Sequence, residues 1–141
     1  MHQPDSKIGQ SLKIWHECVV GRDIERLGQI IADDAVFRSP FLWKSKKGVE
    51  ILKIVLKSAN MVFEDFQYHR TLANEDSVVL EFSAHIGEIQ LKGIDLIRFN
   101  EHGQIVELEV MVRPFKGLQA LGEAMTRQMT ANGDIEAFLQ A

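Results

Sequence analysis

Two apolar runs joined by Asn100-Glu101-His102-Gly103 constrain this chain more than any other stretch. Gly93–Phe99 and Gln104–Val112 are rich in Ile, Val, Leu and Phe, and Pro114 closes the second run. Runs of that type around a polar connector ending in glycine predict an antiparallel hairpin. Inside the first run stands an acid, Asp95. A carboxylate in an apolar strand is unfavourable to bury unless it is paired, protonated or wetted by a cavity. Asp95 is therefore the first candidate for a functional group.

The remaining pattern surrounds this hairpin with helices on one side and strands on the other. Asp5 or Ser6 offers helix-starting chemistry, and Ile8, Leu12, Trp15 and Val19 then recur at helical spacing until Gly21. Asp23 can cap a second, short helix carrying Ile24, Leu27, Ile30 and Ile31. Asp33-Asp34 is expected to turn the chain into a short strand, Ala35–Ser39, followed by a loop over Phe41–Gly48 with Lys44, Lys46 and Lys47 exposed. A third helix is expected from Gly48 to Asn60, with Val49, Leu52, Val55, Leu56 and Ala59 on its apolar face. The period then changes to alternation: Val62–Ala73, Val78–Ile86 and Ile89–Phe99 read as strands leading into the hairpin. Leu118, Leu121, Met125 and Met129 predict a last helix, weakened by Gly117 and Gly122. The segment 132–141 is either a frayed tail or a short lid. Three helices, a run of antiparallel strands and a terminal helix make an α+β domain whose bent sheet leaves a space for a small molecule. One domain, 1–141, is expected from the length.

Composition narrows the partners. A net charge of −4 gives no electrostatic reason to expect nucleic acid or an anionic membrane. No stretch reaches the length of a membrane span. The first residues carry no apolar run of the secretory kind, and the single cysteine, Cys18, forms no internal disulfide. A cytoplasmic protein is the expectation. His16-Glu17-Cys18-Val19-Val20 begins like a zinc-protease helix but has Val20 where the second histidine belongs, and the five histidines show no ligand spacing. Neither a metal nor a cofactor is expected.

Two segments, GRDIERLGQIIADDAVFRSP and GIDLIRFNEHGQIVELEVMVRP, carry a resemblance. In this order and spacing the chain resembles the nuclear transport factor 2-like superfamily, in its SnoaL-like and ketosteroid isomerase-like branches. The resemblance implies a cone-shaped, curved antiparallel sheet wrapped around N-terminal helices, also called cystatin-like, with a pocket inside the cone and commonly a homodimer. Many chemistries share that fold, so the site must decide among them. The isomerase branch implies an acid on the hairpin's first strand and a tyrosine on the first helix as oxyanion donors, with a carboxylate base after the early strand. Asp95 matches the acid. Trp15 stands in the tyrosine's place, and Ser39 in the base's, where a neutral hydroxyl is no proton shuttle at neutral pH. Epoxide hydrolases of this fold carry an arginine where this chain has Gly93.

The resemblance implies an inward face that includes Leu80, Phe82, Leu108, Val110 and Val112. Alternation favours Tyr68 facing in, because Val62, Phe66, Tyr68 and Leu72 are the more apolar set. Phe37, Ser39 and Trp43 stand where the chain enters the cone. The candidate pocket is therefore Trp15, Phe37, Ser39, Trp43, Tyr68, Leu80, Phe82, Asp95, Leu108, Val110 and Val112, with Asp95 as the candidate catalytic group. Ile94, Leu96 and Met111 would lie on the outer face among charges, a mixture suited to a homodimer interface. The expected ligand is a small, largely apolar, oxygenated molecule. The protein would be an enzyme of isomerase, cyclase or lyase type, or else a non-catalytic carrier or scaffold.

Overall fold

A computed structural model describes Gln3 and residues 5–141. The first helix, α1 (Lys7–Gly21), starts where Ser6 accepts a hydrogen bond from the backbone N–H of Gly9 at 3.0 Å. It ends on Arg22, which takes the left-handed conformation (φ 57°) usually left to glycine. Asp23 caps α2 (Ile24–Leu27), and a 3-10 turn, Gly28–Ile30, delivers the chain into β1 (Ile31–Arg38). Asp33-Asp34 does not precede this strand, as expected, but lies inside it. Both acids are exposed in an irregular stretch between the paired residues Ile31 and Val36, so the bulge keeps them in water without ending the strand.

The segment expected as a plain loop contains a two-residue strand, β2 (Lys46–Lys47), paired with β1. Helix α3 (Val49–Val62) buries Ile51, Leu52, Val55 and Ser58. Four strands follow: β3 (Glu64–Ala73), β4 (Ser77–Ile86), β5 (Ile89–Phe99) and β6 (Ile105–Arg113). They form one six-stranded sheet in the order β2-β1-β6-β5-β4-β3. All neighbours are antiparallel except β1 and β6, which run parallel.

The hairpin β5–β6 sits at the centre of this sheet, with Asp95 opposite Val110 and Ile97 opposite Leu108. In its turn the Asn100 side chain accepts from the N–H groups of His102 and Gln104, and Gly103 takes φ 77°. Ser11 of α1 donates its hydroxyl to the Gly103 carbonyl, which fastens the hairpin tip to the helix layer. Helix α4 (Phe115–Ala131) runs through both of its glycines. A Cβ on Gly117 would lie 2.7 Å from the Leu91 Cβ, so this glycine lets α4 approach the sheet. The last segment folds as α5 (Ile135–Gln140), with Phe138 buried. No helix among the described residues is long and apolar enough to cross a membrane.

Candidate functional site

The helices and the curved sheet enclose a cavity of about 730 Å³ between them. That volume lies in the range of small-molecule sites. Its sheet side is largely aromatic: Phe66 stacks on Phe82 with centroids 5.1 Å apart, and Phe63 and Tyr68 meet this pair edge-on or tilted. Phe66 and Tyr68 both face in because they are two positions apart on β3. Gly93 on β5 is the partner of Phe82, whose ring occupies the space a side chain would need, 2.7 Å from an ideal Cβ. A long side chain such as arginine has no room there.

One chain of polar groups enters this apolar wall. Trp15 Nε1–H donates to the Tyr68 hydroxyl at 2.8 Å, and the Tyr68 hydroxyl in turn interacts by a side-chain hydrogen bond with the Asp95 carboxyl. Asp95 is 9% exposed. Burial pushes its carboxyl up to about 7, and the hydrogen bond with Tyr68 only partly opposes this. Burial and the neighbouring Asp95 charge raise the Tyr68 phenol well above its ordinary range, so it stays neutral. Near neutral pH the site therefore presents a neutral phenol beside a carboxyl that populates both its protonated and ionised forms.

Eight of the residues singled out from the sequence share the cavity wall: Trp15, Phe37, Ser39, Tyr68, Phe82, Asp95, Leu108 and Val110. Three do not. Trp43 is wholly exposed, because the turn after β1 directs Phe41 and Leu42 to the mouth and Trp43 to solvent. Leu80 is completely buried, paired between Thr71 and Asp95, in packed core and not on the cavity surface. Val112 packs against the core where α4 meets the sheet. The pairing of Trp15 also corrects an expectation: its indole N–H is spent on Tyr68 and is not free for a ligand. The phenol near Asp95 is supplied by β3, on the chain's single tyrosine, and not by α1.

Ser39 follows β1 at the cavity edge, where its Oγ accepts from the Phe41 N–H at 2.9 Å. Of the helix side of the wall, the sequence anticipated Trp15 and a possible lid over 132–141, but not the residues that supply the rest. Val55, Leu56 and Ala59 of α3, Met125 and Met129 of α4, and Ile135, Phe138 and Leu139 of α5 all line it. Their helical spacing was visible, but periodicity does not distinguish a helix facing a core from one facing a hollow. Arg22 and Asp65, at the cavity's edge, were likewise missed. Lys46 is not a freely solvated loop lysine: its Nζ donates to the Ala141 carbonyl at 3.3 Å and lies 4.8 Å from the centre of the Phe138 ring. Among the described residues, no group of three His, Cys, Asp or Glu side chains is placed to hold a metal ion.

The family model of the SnoaL-like domain matches residues 13–108. Among solved structures, the chain is similar to a steroid delta-isomerase from Pseudomonas aeruginosa, with 48% identity and a TM-score of 0.88, over 91% of this chain and 95% of that one. It is also similar to an uncharacterised bacterial protein with a cystatin-like fold from Silicibacter pomeroyi, with 30% identity and a TM-score of 0.85, over 93% of each chain. A nuclear transport factor 2-like protein of unknown function from Cytophaga hutchinsonii, 14% identical with a TM-score of 0.62 over 81% of this chain and 96% of that one, shares the fold. A search of the curated proteins finds no match. With its cavity, its hairpin acid and these relatives, the chain belongs to the SnoaL-like domain family, in the isomerase-like branch of the nuclear transport factor 2-like fold.

Proposed function

We propose that the protein binds a rigid, largely apolar ketone of about steroid size and polarises its carbonyl at Asp95 and Tyr68. The observation that carries this reading is the buried Trp15–Tyr68–Asp95 chain opening into an apolar cavity. Protonated Asp95 donates to the carbonyl oxygen, and the Tyr68 hydroxyl, still accepting from the Trp15 N–H, turns its one proton from Asp95 to the same oxygen as the second donor. Donors fixed in a largely apolar cavity favour the developing enolate over the ketone, and with Ser39 at the base's place the α-proton passes to a water molecule from the cavity mouth. The similarity to a steroid delta-isomerase supports the same ligand size and reaction class.

The test is deuterium incorporation next to the carbonyl of a bound cyclic enone in heavy water, followed by NMR. Wild type is expected to accelerate exchange, and Asp95→Asn to lower the rate about a hundredfold, the scale on which one oxyanion donor acts. Binding without accelerated exchange would favour a second reading, a non-catalytic carrier. The observation on that side is Ser39, a hydroxyl already engaged with the Phe41 N–H where the branch places a carboxylate base.

A further inference from the structure

Four apolar residues of the cavity lining are also open to solvent: Val20, Phe41, Leu42 and Leu139, between 41% and 85% exposed. They come from the last turn of α1, the turn after β1 and the end of α5, so together they rim the mouth. Trp43, next to Leu42, is wholly exposed. Apolar side chains scattered singly over a surface need no explanation, whereas a cluster around an opening marks a contact surface. None of the five is held in water by the packing of the core, and each loses water when the rim meets an apolar layer.

The charge beside these residues is positive. Residues 38–47, RSPFLWKSKK, carry four cations and no acid. Arg38 is committed to Glu107 and Lys46 to the Ala141 carbonyl. Lys44 and Lys47 are exposed and belong to no ion pair among the described residues. On the rest of the rim Arg22 and Asp65 offset each other, and Glu136 of α5, three positions before Leu139, is the opposing acid. The net charge of −4 acts weakly here, because exposed charges beyond about 8–10 Å are largely screened at physiological ionic strength.

A second copy is a poor occupant of this rim, because pairing rim to rim sets the same lysines against each other. An anionic bilayer suits both parts of it. Indole rings settle at the level of the headgroups, lysines reach the phosphates from beside them, and basic segments are drawn to anionic lipid. We infer that the mouth rim is a membrane-docking surface, which seats Phe41, Leu42 and Trp43 among the headgroups of an anionic bilayer with Lys44 and Lys47 on its phosphates. An apolar ligand then passes between lipid and cavity without crossing open water. This surface goes beyond the ketone reading and does not depend on Asp95.

Vesicle flotation tests it, with phosphatidylcholine alone and with one part phosphatidylglycerol to two of phosphatidylcholine. Wild type is expected to float with the mixed vesicles and to be released as salt rises. Its tryptophan emission should shift to the blue on binding, because Trp43 leaves water while Trp15 is already buried. Leu42→Ser/Trp43→Ser is expected to stay unbound, and Lys44→Gln/Lys47→Gln to bind about tenfold more weakly. All four side chains are exposed, so unchanged melting temperatures check that the variants fold. Asp95→Asn is expected to float like wild type, which separates this surface from the ketone site. Wild type that stays unbound, or a folded Leu42→Ser/Trp43→Ser that floats, overturns the docking surface. Equal flotation with phosphatidylcholine alone overturns it too, as does a mass in light scattering that halves in the Leu42→Ser/Trp43→Ser variant, since a second copy then covers the rim.

Discussion

Asp95 keeps its proton in the folded protein far longer than in the unfolded chain. Its carboxyl rises from an ordinary 3.8 to about 7, chiefly through burial. Below pH 4 both states are protonated, and the stability linked to this group is fully present. As pH rises toward 7 the unfolded chain gives up the proton first, so that stability is lost progressively and is gone above about 7. At about 1.4 kcal/mol per unit, the loss is on the order of 4 kcal/mol. Asp95→Asn has no such loss: in urea unfolding it should match wild type near pH 4 and exceed it by roughly that amount at pH 8. Parallel stability curves would show that Asp95 is not buried as a neutral acid. The same titration governs function, and ketone affinity should fall as pH passes upward through 7, because only protonated Asp95 donates. A simpler residue is Ser58, whose Oγ is fully buried in α3 and lacks a hydrogen-bond partner. Ser58→Ala should be neutral or stabilising by up to about 1 kcal/mol in the same assay.

Elements make and close the hollow. Gly93 keeps β5 compatible with the Phe82 ring: an added Cβ would lie 2.5 Å from the Met111 carbonyl oxygen and 2.7 Å from that ring. The backbone contact has little room to yield, so Gly93→Ala should destabilise by about 1–3 kcal/mol in thermal unfolding. At the other side, α5 has six residues, too few for a helix to hold by itself. What retains it is buried Phe138, with Lys46 over that ring and on the Ala141 carbonyl, and Asp134 3.9 Å from Lys57. We propose that α5 serves as the cavity's lid. Lys46→Ala should speed amide hydrogen exchange over 135–140 while leaving β5 and β6 unchanged. Equal protection in both proteins would mean that the Lys46 latch does not hold the lid.

At the scale of the whole molecule, the sheet's outer face mixes apolar and charged side chains. Ile94 and Met111 are cross-strand neighbours there, and Leu96 is half-buried beside them. Between the charges, Glu81 is held by Arg70 at 2.6 Å and Lys92 at 3.1 Å, and its carboxyl is pulled down to about 2, first of all by the Arg70 hydrogen bonds. We propose that two copies pair through this face. Light scattering should then report a mass near twice 16.0 kDa, and Met111→Arg should shift it toward the single chain. A monomeric wild type at micromolar concentration would remove the interface.

Much of this architecture is legible in the sequence, because it depends on near neighbours. The Ser6 and Asp23 caps, the apolar period of α1, α3 and α4, the alternation of β4 to β6 and the glycine turn at 100–103 are each set within a few residues. Asp95 was legible for the same reason, as an acid among β-branched residues. The tertiary structure decided what depends on residues far apart. It gave the Trp15 N–H to Tyr68 across 53 positions, which left the indole on the wall with its donor engaged and made β3 the source of the phenol. It turned Trp43 outward, sank Leu80 into packed core, and put Arg22 and Asp65, 43 positions apart in the chain, on one cavity. Periodicity states which face of an element is apolar. Whether that face meets side chains or empty space depends on how closely the layers approach, and this is a property of all the elements together.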